Sequence, residues 1–118
     1  MKNFLAIYIG SEAALERVQW DKMDDVTRKA RQASGISAWM DWATTNSAAI
    51  VDHGSPLGKT KRASPDGVTD IKNVMAAYVI VRTESHEAAA KLFENHPHFT
   101  IFPGDSVEIM ECLPLPGQ

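Results

Sequence analysis

The run Phe4-Leu5-Ala6-Ile7-Tyr8-Ile9 is apolar without interruption and rich in β-branched and aromatic residues, which predicts a first strand over residues 2–9. Gly10 and Ser11 close it, and Ser11 can cap a short helical turn reaching Arg17. Met23, Val26, Ala30 and Ala33 then recur at helical spacing behind Asp21. Asp21 reads as an N-cap, with Asp24 and Asp25 in the first turn, where the helix dipole favours acids. Gly35 reads as a break, followed by a second short helix over residues 36–45. On that helix Trp39 and Trp42 lie three apart and share a face. Residues 48–52 read as a strand running into the loop Gly54-Ser55-Pro56-Leu57-Gly58. Ser64-Pro65-Asp66-Gly67 is a turn in which Pro presets φ and Gly tolerates a positive one, joining hairpin arms near residues 60–63 and 68–72. Tyr78-Val79-Ile80-Val81 marks a strand over residues 76–83. Ser85 caps the next helix, whose buried side is Ala89, Leu92 and Phe93. Asn95 suits a left-handed C-cap, and Pro97 stops the helix. Residues 106–112 form the last strand, and residues 113–118 an extended tail.

This order predicts an α+β, ferredoxin-like sandwich with an inserted β-hairpin, in one domain spanning residues 1–118. Helices cover only one face of such a sheet. The first strand nevertheless offers Phe4, Ala6 and Tyr8 on one side and Leu5, Ile7 and Ile9 on the other. The third main strand sets Tyr78 and Ile80 against Val79 and Val81. An apolar second face needs a cover. A second copy of the chain is the expected one, giving a homodimer; the alternative is that the hairpin and tail fold back over the face.

Composition narrows the function. With 118 residues and 44% hydrophobic content, the chain can hold a core without disulfide or metal. Its net charge of −3 argues against nucleic acid or an anionic membrane surface as partner. No apolar run is long enough to span a bilayer, and the single cysteine, Cys112, fits a reducing compartment, so a cytoplasmic location is expected.

Several segments, taken together and in order, resemble the YCII-related domain family: Gly54-Ser55-Pro56-Leu57-Gly58-Lys59-Thr60-Lys61, Asp66-Gly67, Tyr78-Val79-Ile80-Val81, Ser85-His86-Glu87-Ala88-Ala89, His96-Pro97-His98-Phe99 and Val107-Glu108-Ile109-Met110-Glu111. The resemblance implies a dimeric α/β-barrel of ferredoxin-like protomers. Some branches of the family are suggested to use a cleft His–Asp pair with the His on the first long helix. This chain has no His between Ser11 and Asn46, so that pair does not carry over. The Asp-Gly-Pro-Phe motif of related proteins is half present, as Asp66-Gly67-Val68-Thr69.

The candidate chemistry rests on a few side chains. His53 ends a strand at a prospective cleft and can act alone as a general base, since the neighbouring Asp52 points to the opposite face; it can equally be a loop-edge histidine. His96 and His98, two apart in extended chain, can present both rings to one ligand. Alternatively, one packs in the core against backbone while the other caps a helix. No third ligand stands at a diagnostic spacing, so no metal or other cofactor is expected. Lys59, Thr60 and Lys61 can form an anion-binding loop or a plain connection, Trp39 an aromatic wall or core, and Asn73 is a further polar candidate. Two functions follow: a binding or regulatory dimer whose cleft holds a small anionic or aromatic molecule, or an enzyme doing His-based acid–base chemistry on a small substrate.

Overall fold

The computed structural model of the chain describes residues 1–117; Gln118, the end of the expected tail, lies outside the described residues. β1 (Lys2–Gly10) is followed by α1 (Glu12–Val18), a 3-10 turn (Trp20–Lys22) and the long helix α2 (Asp25–Thr45). β2 (Ile50–Pro56) leads into the hairpin β3 (Thr60–Ser64) and β4 (Gly67–Ile71), then β5 (Met75–Thr83). The short helices α3 (His86–Lys91) and α4 (Pro97–Thr100) and the strand β6 (Gly104–Glu111) complete the chain. Four strands form an antiparallel sheet in the order β2-β5-β1-β6. Helices lie between β1 and β2 and again between β5 and β6, which is the ferredoxin-like arrangement with the hairpin inserted ahead of β5.

Alternation on β1 decides which side is core. Phe4, Ala6 and Tyr8 are buried, and they sit in register with Val81, Val79 and Ala77 of β5 and with Glu111, Ile109 and Val107 of β6. Ala89 and Phe93 cover this patch. Ser85 receives the Ala88 N–H at 3.1 Å and so begins α3 as its spacing predicts, a cap worth about 1 kcal/mol. The other face carries Leu5, Ile7, Ile9, Tyr78 and Ile80, all half-buried, with Met110 exposed. Residues 61–70 of the hairpin are exposed throughout, and the fold is only 19 Å deep, the thickness of one sheet and one helical layer. Hairpin and tail therefore leave the second face uncovered.

The helical region departs from expectation. The N-cap is Asp24, whose carboxylate accepts the Thr27 N–H at 2.7 Å and is held below its usual pKa by that bond; Asp21 lies in the preceding 3-10 turn. Nor does Gly35 interrupt anything, because α2 is continuous from Asp25 to Thr45. Gly35 is buried because the Phe102 ring presses on the helix there, and a Cβ at this position would meet that ring at 2.5 Å. The expected stripe of Val26, Ala30 and Ala33 faces solvent, Val26 being 81% exposed. The covered stripe is Arg28, Arg31, Gly35, Trp39 and Trp42, in which the arginine stems stand in for aliphatic residues.

β2 also runs further than expected, through Gly54, Ser55 and Pro56. It does so by a bulge. The pairing with β5 shifts between Asp52 and Ser55, Gly54 adopts φ +68°, and the Asp52 carboxylate takes the Gly54 N–H at 2.8 Å. The bulge brings the β2 backbone against the Tyr78 carbonyl so closely that no side chain fits at position 54.

Candidate functional site

A cleft of about 640 Å³ opens between α2 and the β2-β5 end of the sheet, walled on a third side by Phe102, Pro103 and Gly104. Tyr8, at the end of β1, and Trp39 of α2 both line it and pack on each other, their ring centroids 4.7 Å apart. Ile36, one turn before Trp39, and Met40, next to it in sequence, extend the apolar wall and are 55% and 66% exposed. The chain opposite is fastened by two guanidinium groups. Arg31 donates through Nε to the Ile101 carbonyl at 2.8 Å, and Arg17 to the Gly104 carbonyl at 3.0 Å. No Lys, Arg, Asp or Glu stands among the described residues lining the cleft, so its polar side-chain chemistry falls to Tyr8, His53 and His98, with backbone beside them.

His53 and His98 reach this cleft from opposite sides. His53 is exposed on β2. His98 is buried, its Nε2–H donating to the Ile9 carbonyl at 2.8 Å. Burial holds His98 below its ordinary pKa, partly offset by the carbonyls of Ile9 and Ser106 and the charge of Asp105.

His96 lies behind the cleft with no exposed surface. Its ring is boxed by Trp39 at 4.5 Å, Trp42 at 4.7 Å, Tyr8 at 5.1 Å and Phe93 at 5.9 Å. Pro97 holds His96 extended, as its position predicts, but the chain turns helical at once, so the expected pair of parallel rings does not form. His96 caps α4 instead, its Nδ1 accepting the His98 N–H at 3.0 Å. A backbone N–H can only donate, so the proton of the His96 ring is on Nε2, which faces the Tyr8 hydroxyl at 3.2 Å. Burial, with a smaller contribution from His98, pushes the His96 pKa down to about 3, and burial also raises that of Tyr8. Both groups are neutral across the physiological range. Among the described residues no three His, Cys, Asp or Glu side chains gather in a way that could hold a metal ion.

The remaining candidates gather elsewhere. Lys59, Thr60, Lys61 and Asn73 line a separate groove at the base of the hairpin. There Lys61 pairs with Asp70 at 2.6 Å. Asn73 is spent on bracing, donating to the Thr60 hydroxyl at 3.1 Å and accepting the Met75 N–H at 2.9 Å. Of the residues singled out from sequence, Trp39, His53 and His98 share the cleft, while His96 stands behind it. Tyr8 escaped the sequence reading. Its only signal was a phenol in an otherwise hydrocarbon strand, and the partner that gives the phenol meaning lies 88 residues away.

No helix among the described residues is long and apolar enough to cross a membrane. No family model matches the chain, and comparison with curated proteins gives no match. Among solved structures, that of 5-chloro-2-hydroxyhydroquinone dehydrochlorinase (TftG) from Burkholderia phenoliruptrix AC1100, in complex with 2,5-dihydroxybenzoquinone, is similar with a TM-score of 0.55 over 94% of this chain and 93% of that one, at 14% sequence identity. At that identity the likeness is one of fold, and it agrees with the ferredoxin-like architecture read from the sequence.

Proposed function

We propose that this chain binds a small, flat, uncharged molecule, a single aromatic or quinoid ring, in the cleft beside the paired rings of Trp39 and Tyr8. The observation that carries the reading is the cleft itself: an aromatic wall made by the packed Tyr8 and Trp39 rings, apolar flanks, and no ionised carboxylate, ammonium or guanidinium among the described residues of its lining. A charged ligand would lose its hydration there without a counter-charge, so the neutral aromatic member of the expected ligand classes is favoured over the anionic one. The ligand in the TftG structure, a small ring, fits the same size class.

The test is a ligand-observed NMR titration with ethylbenzene, acetophenone and benzoate. The two neutral rings are expected to bind and benzoate not to. Trp39→Ala should weaken the neutral rings by about tenfold, the scale of one lost aromatic wall. Binding of benzoate alone, or of nothing, would refute the reading.

A second reading has its own observation, that two histidines line the one cleft. His98 is committed through Nε2, so the exposed His53 is the group for proton transfer. Deuterium exchange at the acetophenone methyl group, catalysed by the protein and lost in His53→Asn while binding persists, separates an enzyme from a binder.

The chain is further proposed to pair through the open sheet face, joining Leu5, Ile7, Ile9, Tyr78, Ile80 and Met110 to the same residues of a second copy. Light scattering at micromolar concentration should give twice the chain mass, and Ile7→Lys should return half of that. A wild-type monomer would remove this part of the proposal and leave the cleft, which one chain builds alone.

A further inference from the structure

We infer that the Tyr8 hydroxyl selects the ligand by donating a hydrogen bond to it, which makes the ligand class a flat neutral ring bearing a carbonyl oxygen. The inference rests on the cleft reading above and deepens it.

The polarity of the phenol is settled by a chain of donors. The His98 N–H donates to His96 Nδ1, which leaves the proton of that imidazole on Nε2. Nε2–H then donates to the Tyr8 oxygen. Tyr8 therefore accepts its one described protein bond, and its own O–H proton has no acceptor among the described residues. A buried hydroxyl proton without an acceptor is costly, and the open space next to Tyr8 is the cleft it lines. The nearby alternatives are already used: His98 Nε2–H is bonded to Ile9, and the Trp42 indole N–H to the Leu92 carbonyl at 2.7 Å.

The same chain makes Tyr8 a better donor. A phenol oxygen that accepts a hydrogen bond polarises its own O–H, and the effect is larger where water is excluded. Since Tyr8 stays protonated, it supplies a donor and no negative charge, so a ring with only donor groups at that point leaves the phenol proton unmet. A carbonyl oxygen is the group that meets it, and a ring of hydrocarbon alone does not. His96 touches no ligand; it is a positioning residue that fixes the rotor of the phenol.

The experiment compares acetophenone with ethylbenzene, nearly isosteric rings with and without the oxygen, in wild type and Tyr8→Phe. Wild type is expected to favour acetophenone by about tenfold, and Tyr8→Phe to bring the ratio near unity by weakening acetophenone alone. The infrared carbonyl band of bound acetophenone should lie at lower wavenumber in wild type than in the variant. Equal affinities in wild type, or a ratio unchanged in Tyr8→Phe, would overturn the assignment while leaving the cleft reading intact. If neither ring binds, both fall together. Should Tyr8→Phe not fold, the wild-type band decides. A lowered band that survives His53→Asn supports Tyr8, and a band at the position seen in a hydrocarbon solvent refutes it.

Discussion

Gly54→Ala should lower the melting temperature by on the order of 10 °C and abolish ring binding in the cleft. The backbone at position 54 lies at φ +68°, in the left-handed region that costs a residue with a side chain about 1–2 kcal/mol. The added methyl would also overlap the Tyr78 carbonyl on the neighbouring strand, which is backbone and has little room to yield. The two costs together exceed about 3 kcal/mol, and a domain of this size loses roughly 4 °C for each kcal/mol. The structure can relieve the overlap only by straightening the bulge. That shifts the register of β2 against β5 and moves His53 out of its present alignment with the cleft. Circular dichroism melts and the acetophenone titration check both halves. A variant that melts within about 2 °C of wild type and still binds would show that the bulge can be dispensed with.

Acid should unfold the protein earlier than its carboxylates alone would suggest. His96 and His98 are neutral in the native state, and the native pKa of His96 is about 3 against an ordinary 6.5. Between those values the unfolded chain takes up a proton that the folded chain refuses. The stabilisation is therefore complete above about pH 6.5 and declines as the pH falls toward 3. One such group contributes about 1.4 kcal/mol per pH unit well below pH 6.5 and about half of that at pH 6.5, so about 2 kcal/mol should be lost between pH 6.5 and pH 4.5 through His96, with His98 adding to the slope. Urea denaturation across that range measures it. His96→Gln, which keeps a polar side chain at the site without a titrating one, should start less stable and decline less steeply. A wild-type stability that is flat from pH 7 to pH 4.5 would mean that His96 admits its proton in the folded state.

Much of the fold was legible because local signals and tertiary structure agree. The unbroken apolar runs at 4–9 and 78–81 are strands because they sit in the middle of the sheet. Ser85 and the Ser64–Gly67 turn act through geometry that their own residues dictate, whereas Asn95, expected as the C-cap, takes its left-handed φ beyond the helix end, which falls at Lys91 with Leu92 as C-cap. The long helix was misread for an identifiable reason. A search for apolar periodicity finds Val26, Ala30 and Ala33, whereas the covered side is made by two arginine stems, a glycine under Phe102 and two tryptophans. The site divides in the same way. Trp39 and His53 stood out as residue types at suggestive places. The bond from His96 to Tyr8 depends on how α4 sits against β1, and nothing in either segment alone encodes it.

Arg17 and Arg31 grip the 101–104 crossing by its carbonyl oxygens, and every residue type has a carbonyl oxygen. The anchorage is indifferent to the side chains it carries. Pro103 can therefore be exchanged in the course of descent, reshaping what the pocket admits while the strap that bears it keeps its place, whereas Phe102 is held by its seat on Gly35. Innovation in ligand choice is cheapest at Pro103, and dearest at Tyr8, where wall, phenol and fold are one residue.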